Sequence, residues 1–476
     1  MGYQVMVRRK ALISALFAVA LLPSITSPVR ADAAAPFAQA LAEARADAVA
    51  ERPQDALAAF RAALAAAGGD AESERTARFG IARMLMWLGR YEEARSVYAT
   101  LLTCDLSPED RQIALAGEVK SLAYLDRPRE AFRTVGDAPV VSSDLTVAAA
   151  QAASWSGWSD KAQALLERGE PALAQLAPGS QLAHQARSLA DDVHRDLAPT
   201  VTVNDAYAHD SDGLSTNDTT ASVRAPVSRT AAVDVRVRAF DLHDAAWSLH
   251  GTETRAGFDA RAGDATTVSV TAGRGAYAGW TPAVWSSDVA YQATDDLRVA
   301  AYASGEAVET QTAIANRTTA RTLGARATLR LADPLALSAG TYVERFSDGN
   351  VRHGVDASLA VAAVPSAGIG LLIRERAFSD ATAGLGYFSP AHYVEQNYAV
   401  TVRRRVRRWF VDASAGLGHQ AGGGSAGTPF SYALTVRGPV GGCLRADASL
   451  NAQNSALSSA SGYRRTGAAI GFSCAL

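Results

Sequence analysis

The chain has 476 residues, a length that allows two or three domains, and a formal net charge of -2 at pH 7. This near balance of charge argues against a nucleic-acid-binding surface. The eight histidines are scattered without metal-ligand spacing and no Cys-x-x-Cys pair occurs, so we predict neither an enzyme nor a cofactor-binding protein.

The first residues have the form of a secretory signal. Arg8, Arg9 and Lys10 precede an apolar run, Ala11 to Leu22, and a small-residue stretch that ends at Ala31. We predict a signal peptide, residues 1–31, that is cleaved after this stretch. The run is shorter than the ~20 residues of a membrane helix, so an uncleaved anchor is less favoured. No later stretch is apolar enough for a membrane helix, so any membrane-spanning part must be a closed barrel.

Residues 32–198 are rich in Ala, Leu, Glu and Arg, a composition that favours helices. Gly89, Tyr91, Ala94 and Tyr98 follow the spacing of a tetratricopeptide hairpin. In that motif the glycine closes the turn, the alanine allows close helix packing, and the tyrosines fill the groove.

Weaker copies of this pattern lie around Ala56, Ala131 and Ala162, close to the ~34-residue period of tetratricopeptide repeats. We therefore predict three or four degenerate repeats that form an all-α solenoid. The concave face of such a solenoid usually binds a partner protein. A purely structural spacer is the alternative.

The composition changes near Pro199: Thr, Ser, Gly, Val and Tyr become frequent, and lysine is absent after residue 200. The apolar pattern changes to period two, which predicts strands. These segments are ~10 to 12 residues long, as membrane-crossing strands require. We predict a sixteen-stranded antiparallel transmembrane β-barrel over residues 199–476, with strands starting near 200, 219, 231, 246, 265, 285, 297, 319, 335, 351, 367, 392, 408, 429, 443 and 463.

The predicted connections alternate in length, as in outer-membrane barrels, which have short periplasmic turns and longer outer loops. The longer ones are Asp210 to Asp218, Val308 to Thr318, Ser379 to Ala391 and Ala421 to Thr428. We therefore expect these loops to face the cell exterior and the repeat domain to lie in the periplasm.

Charged side chains alternate with Val, Leu and Ala along the predicted strands. Because an arginine facing hydrocarbon near the midplane costs about 2 to 4 kcal/mol, these charges should face the lumen. Two tyrosines share these inward faces, where aromatic rings beside charges suit sugars. Mutual pairing that stabilises the wall is the alternative for most of the charges. The predicted substrate-binding lumen residues are Asp234, Arg236, Arg238, Arg298, Tyr302, Glu306, Arg326, Arg330, Tyr342, Glu344, Glu395, Asp412, Arg445 and Asp447.

The hairpin count places Cys443 and Cys474 at the periplasmic edge of neighbouring strands. Facing Cα atoms of antiparallel strands lie ~4.5 to 5.5 Å apart, which is within disulfide reach. We predict a disulfide between them. Cys104 is left over and is expected to be a small buried residue of the helical repeats.

This order of domains resembles that of the outer-membrane exporters of bacterial exopolysaccharide, such as the poly-N-acetylglucosamine export porin and the outer-membrane component of cellulose synthase. The segment 386–393, Gly-Tyr-Phe-Ser-Pro-Ala-His-Tyr, is similar to a short element near the end of that barrel. The resemblance implies passive passage of polysaccharide, no cofactor, outer-membrane lipids around the barrel, and periplasmic synthesis or modification proteins docked on the repeats. A surface receptor or adhesin is the alternative, and a barrel hydrolase is less favoured.

Overall fold

The computed structural model describes residues 31–211, 213–422, 425–455 and 463–476. The predicted signal peptide, apart from Ala31, lies outside the described residues. The chain divides near residue 197 into a helical unit and a strand unit.

The helical unit is built from consecutive helix pairs. No helix in the described ranges is both long and apolar enough to cross a bilayer. The helices are α1 (Ala31–Val49), α2 (Pro53–Ala66), α3 (Ala71–Trp87), α4 (Tyr91–Leu102), α5 (Pro108–Tyr124), α6 (Pro128–Val135), α7 (Ser143–Trp155), α8 (Ser159–Leu173) and α9 (Gln181–Leu197).

The second helix of each pair carries an alanine at its fourth position. These residues, Ala56, Ala94, Ala131 and Ala162, are fully buried. A methyl group is the largest side chain that helices in such close contact accommodate, so the repeated alanine fixes where each pair packs. The predicted helical region is confirmed, and the tetratricopeptide assignment remains a prediction.

Aromatic rings pack on glycines between successive helices of this unit. The ring of Phe60 on α2 lies where a side chain at Gly80 would be, and the ring of Tyr98 covers Gly117 in the same way. Gly89 has a φ of +73° in the turn before α4, a conformation that favours glycine. Tyr91 is half-buried, and its ring centroid lies 5.1 Å from that of Tyr124.

The strand unit is a closed antiparallel barrel, as predicted. Sixteen long strands pair in chain order, the last pairs with the first, and the short β14 extends the loop after β13. The strands are β1 (Thr200–Asp210), β2 (Ser215–Ser228), β3 (Ala231–His243), β4 (Ser248–Ala262), β5 (Thr266–Tyr277), β6 (Ala283–Gln292), β7 (Leu297–Ala307), β8 (Thr319–Ala332), β9 (Leu335–Phe346), β10 (Val351–Val364), β11 (Ile369–Asp380), β12 (Tyr393–Val406), β13 (Trp409–Gly422), β14 (Ser425–Gly427), β15 (Phe430–Gly441), β16 (Leu444–Ser455) and β17 (Tyr463–Ala475).

The connections between strands differ at the two ends of the barrel. Two-residue turns such as 229–230 and 407–408 lie at one end, here called the turn end, where β1 begins. Longer segments lie at the opposite loop end, including 308–318, which contains helix α10 (Gln311–Ala315), and 381–392. The longest described connections therefore lie at the loop end of the barrel.

Two of the predicted long loops are shorter than expected. The loop predicted over Asp210 to Asp218 is wrong, because β2 begins at Ser215, which pairs with His209 and His243. Residues 215–218 are polar, so a search for alternating apolar residues does not detect this part of the strand. Backbone pairing, however, needs no apolar side chain. The predicted loop at Ala421 to Thr428 is in part strand, since β14 pairs with the end of β13.

A disulfide joins the last two strands at the turn end. Cys443 and Cys474 are bonded, and their Cα atoms lie 4.9 Å apart. The bond lies beside the ladder pair of Leu444 and Cys474. Cys104 is free and half-buried against the helical core.

We expect an Ala56→Leu substitution to lower the free energy of unfolding of the helical unit by about 1 to 3 kcal/mol, because the site has no room for a larger side chain. Heat-induced loss of helical ellipticity measures this. Ala58→Leu on the exposed face of α2 is the matched control and should leave the transition unchanged. Equal transitions for the two variants would contradict close packing at Ala56.

Candidate functional site: the barrel lumen

The alternation of side chains gives the barrel wall two chemically different faces. Exposed Val233, Val235 and Val237 occupy one face of β3, and Asp234 and Arg236 occupy the other. Side chains on the face that carries Asp234 and Arg236 contact side chains on strands that are not neighbours. Only inward side chains can meet in this way across a closed barrel, so this face lines the lumen. All of the predicted lumen residues lie on this inward face by the ladder register.

Many inward charges pair within the wall. Arg326 lies 3.1 Å from Asp288, and Arg352 lies 3.2 Å from Glu344. Asp412 lies within 3.2 Å of two arginines. Glu306 and Arg330 each have an opposite charge at 3.8 Å, and Glu395 accepts a hydrogen bond from the Tyr393 hydroxyl. For these residues the wall-stabilising interpretation fits the contacts.

Among the predicted lumen residues, a second group of charges has neither an ion pair nor a side-chain hydrogen bond within the described residues. It comprises Asp234, Arg236, Arg298, Arg445 and Asp447. An arginine without a carboxylate partner keeps its donors available to a molecule in the lumen. The three arginines of this group therefore have donors that could contact a cargo.

Four inward aromatic side chains lie along one row of the ladder, here called the aromatic row. Tyr302 pairs with Gly324, which pairs with Tyr342, which in turn pairs with Gly354. The row continues from Gly354 to Phe378 and then to Tyr393. The aromatic row therefore crosses the wall from β7 to β12.

The glycines determine how these rings lie. The ring of Tyr302 covers Gly324, and the ring of Tyr342 covers Gly354, each in the space that a glycine side chain would fill. Each ring consequently lies over the backbone of the neighbouring strand on the inward side of the wall. The guanidinium of Arg326 lies 5.6 Å from the ring centroid of Tyr302, so donors and an aromatic face occur side by side.

The segment 308–318 folds into the lumen and is held there by Glu309. The carboxylate of Glu309 accepts two hydrogen bonds from Arg238 on β3, at 2.5 and 3.0 Å, and a third from the Tyr277 hydroxyl at 3.0 Å. Arg238 also donates to Asp218 at 2.6 Å. Bidentate pairing of this kind is among the strongest polar contacts in proteins.

Apolar contacts reinforce the position of this segment. Ile314 on α10 is buried in a cluster with Phe240, Leu242, Leu249 and Tyr277. The guanidinium of Arg238 lies 4.5 Å from the ring centroid of Phe240. The segment is thus attached to the wall formed by β3, β4 and β5, which lie two to four strands before β7, the strand from which the segment leaves.

The segment 381–392 is held by a second polar cluster. Arg352 donates to the buried carboxylate of Asp380 at 3.1 Å, and Asn350 donates to Asp380 and to the Tyr387 hydroxyl. The rings of Tyr387 and Phe346 stack with centroids 4.4 Å apart. Burial, together with the hydrogen bond to Asp348, raises the pKa of Tyr387 to about 12.

The two segments touch each other, and together they are here called the loop pair. The hydroxyl of Thr310 donates to the carbonyl of Gly386 at 2.7 Å. Thr312 occupies the space that a side chain at Gly386 would need. Gly386, the first residue of the segment 386–393 that carries the sequence resemblance, therefore lies at the contact between the segments.

Open space remains in the barrel outside the loop pair. A cavity of about 460 Å³ is lined by β1, β2, β11, β13 and the last three strands, with Thr216, Asp218, Arg374 and Asn451 among its polar groups. Asp218 thus belongs both to the cavity wall and to the cluster that binds Glu309.

Several of these residues escaped the sequence analysis. Arg352, Asp380 and Phe378 have inward positions that the period-two pattern could have identified. Glu309 lies in a connection, where no periodic pattern exists, and its partner Arg238 is distant in the chain.

Neither a metal-ligand cluster nor a nucleophile elbow occurs among the described residues. No group of His, Cys, Asp or Glu suited to a metal ion occurs in the described ranges. Residues 423–427 spell Gly-x-Ser-x-Gly, but Ser425–Gly427 is strand β14 and lacks the strand-to-helix turn that a nucleophile elbow needs.

No protein-family model and no curated protein matches the chain. Among solved structures, the chain is similar to one described as a bacterial polysaccharide outer membrane secretin, with a TM-score of 0.51 and 12% identity over 59% of this chain and 99% of that chain. It has weaker similarity to CdiB from Acinetobacter baumannii, with a TM-score of 0.40 and 9% identity over 58% of this chain and 60% of that one. OpdQ from Pseudomonas aeruginosa has a TM-score of 0.35 and 10% identity over 59% of this chain and 99% of that one.

At this level of identity the similarity concerns the fold. The secretin supports the assignment of an outer-membrane type of β-barrel, and the two structures with TM-scores below one half add no argument.

We expect Glu309→Gln to loosen segment 308–318, because the bidentate contact with Arg238 is lost. Loss of charged hydrogen bonds that are mostly shielded from water should raise the rate of tryptic cleavage after Arg317 by about 10-fold. Mass spectrometry of the folded protein in detergent measures this. Asp241→Asn, on the outward face of β3, is the matched control, and equal cleavage in both variants would show that Glu309 does not hold the segment.

Proposed function

We propose that the chain is an outer-membrane channel through which an exopolysaccharide leaves the periplasm. The observation that carries the proposal is the aromatic row, whose rings cover Gly324 and Gly354 on the inward wall, with the guanidinium of Arg326 beside the ring of Tyr302. Sugar rings offer apolar CH patches surrounded by hydroxyl groups, and this wall offers the complementary surface.

The membrane location is supported by the outer wall. Large apolar side chains such as Val355, Leu371, Val400 and Leu450 are exposed on outward positions of four different strands. In water such a surface is unfavourable, whereas in a bilayer it is matched by lipid. A closed barrel also satisfies the backbone polar groups that lipid cannot.

Polysaccharide as cargo is supported by the lumen chemistry and by the similar structure, which is described as a polysaccharide secretin. The segment 386–393 also resembles an element of exopolysaccharide export porins. The paired and unpaired charges of the lumen include both signs, which suits a neutral or mixed-charge polymer better than a strongly charged one.

The helical unit has a different role in this proposal. Its repeated helix pairs, with buried Ala56, Ala94, Ala131 and Ala162, suit a tetratricopeptide solenoid that docks synthesis or modification proteins in the periplasm. The loop end of the barrel then faces the cell exterior.

We expect deletion of residues 32–198 to leave an assembled barrel, since the barrel strands pair among themselves, while secretion falls because partner docking is lost. The measurements are secreted polysaccharide per cell and heat-modifiability of the barrel on gels. Unchanged secretion after deletion of the whole gene, in a cell without another exporter, would exclude export and favour a surface receptor.

The aromatic row makes a second prediction about transport. Sites for a moving polymer must each be weak, so Tyr302→Ala or Tyr342→Ala alone should change secretion by about 2-fold or less, and the double variant should reduce it by about 5-fold. The control is a double variant of the outward, exposed Tyr207 and Tyr291. A wild-type secretion rate in the Tyr302 and Tyr342 double variant would remove the aromatic row from the path.

A further inference from the structure

Two arginines face each other on the outer wall of the barrel at its loop end. Arg321 on β8 pairs directly with Arg345 on β9, and both side chains are exposed. They share the outward face with Leu323, the next outward residue on β8. Neither arginine has a hydrogen bond or ion pair within the described part of the chain.

This arrangement is unfavourable without a further partner. Like charges directly opposite each other on neighbouring strands destabilise a sheet. A charge on the lipid face is tolerated near the interface, where its cost is small, but here it gains nothing from its neighbours. An anion that lies between the two guanidinium groups would remove both disadvantages.

The surrounding wall provides no such anion. The outward positions of β5 to β9, all of them described, include no aspartate or glutamate. The third arginine on these faces, Arg274, also lies within a few residues of the loop end. The cations of this part of the wall are therefore confined to one level of the barrel.

A tryptophan marks that level as a membrane interface. Trp285 pairs with Gly305, and its indole covers this glycine. Gly305 in turn pairs with Arg321, so Trp285, Gly305, Arg321 and Arg345 form one row. Tryptophan is enriched where lipid headgroups meet the hydrocarbon core. Since Trp285, Arg321 and Arg345 each lie within two residues of the loop end of their strands, the two arginines are at the depth of the headgroups.

We propose that Arg321 and Arg345 bind a phosphate group of lipopolysaccharide, the phosphorylated glycolipid of the outer leaflet. The inference rests on the outer-membrane location in the proposed function. Two guanidinium groups can each donate two hydrogen bonds to phosphate oxygens, a geometry that arginine forms better than lysine. Trp285 and the outward leucines lie beside the acyl chains, and Arg274 offers a second cation for the same lipid surface.

The test uses the full-length protein purified in detergent and lipid A that carries its phosphates. Native mass spectrometry measures how much lipid A the protein retains. We expect the Arg321→Ala, Arg345→Ala double variant to reduce retention by about 10-fold or more, because charge-assisted hydrogen bonds are lost. Wild-type protein should retain dephosphorylated lipid A as weakly as the double variant does.

Arg404→Ala is the matched control, since Arg404 is also outward and exposed but lies at the turn end of β12. This variant should retain lipid A as the wild type does. If the double variant shows no heat-modifiability, and so has not assembled as a barrel, the single variant Arg345→Gln is measured in its place. This substitution removes one charge without removing a contact within the protein.

Three results would overturn the proposal. They are equal retention by the arginine variants and the wild type, equal retention of lipid A with and without phosphates, and displacement of lipid A by inorganic phosphate at comparable concentration. The last result would assign the site to free phosphate. Polysaccharide secretion is measured separately in cells, so loss of lipid binding and failure of export are distinguishable.

Discussion

The pairing of β1 with β17 is the contact on which the rest of the barrel depends. The ladder runs from Thr200 with Ala475 to Asp210 with Arg465, and Leu476 adds a backbone hydrogen bond to Pro199 beyond its end. Without this seam two long strands would have unpaired edges, which neither lipid nor water-exposed sheet tolerates well. Closure also fixes the side of the wall on which every side chain lies, because side chains alternate along each strand.

That constraint explains why polar chemistry concentrates inside. Because the outward positions are mostly Val, Leu and Ala, the arginines, carboxylates and tyrosines lie mostly at inward positions. Glycine then determines how much room each large side chain has: Gly324 and Gly354 let the rings of Tyr302 and Tyr342 lie against the wall. The same packing of ring on glycine recurs between helices, where Tyr98 covers Gly117.

Much of this organisation could be predicted from the sequence, because it follows from periodicity. The alternation of Val233 and Val235 with Asp234 and Arg236 determines their faces, and the observed ladder agrees. The polar start of β2 could not be predicted in this way, because an apolar pattern contains no information about backbone pairing.

The loop pair was beyond the reach of the sequence for a different reason. The contact of Glu309 with Arg238 joins a connection to a strand four strands earlier. Only the closed shape of the barrel makes them neighbours. The aromatic row was seen in part, at Tyr302 and Tyr342, because its continuation through Phe378 to Tyr393 depends on strand register.

The exclusive use of arginine as the barrel's long cation, with no lysine after residue 200, fits three separate demands. Arg238 and Arg352 must hold carboxylates in partly dry surroundings, where a planar group with several donors loses less than a strongly hydrated ammonium. Arg326 lies beside a tyrosine ring, where a guanidinium can also stack. Arg321 and Arg345 lie next to hydrocarbon, where weaker hydration again favours arginine. Position in the wall therefore determines what each arginine does: a partner inside makes it structural, and the lack of one leaves it available to a ligand.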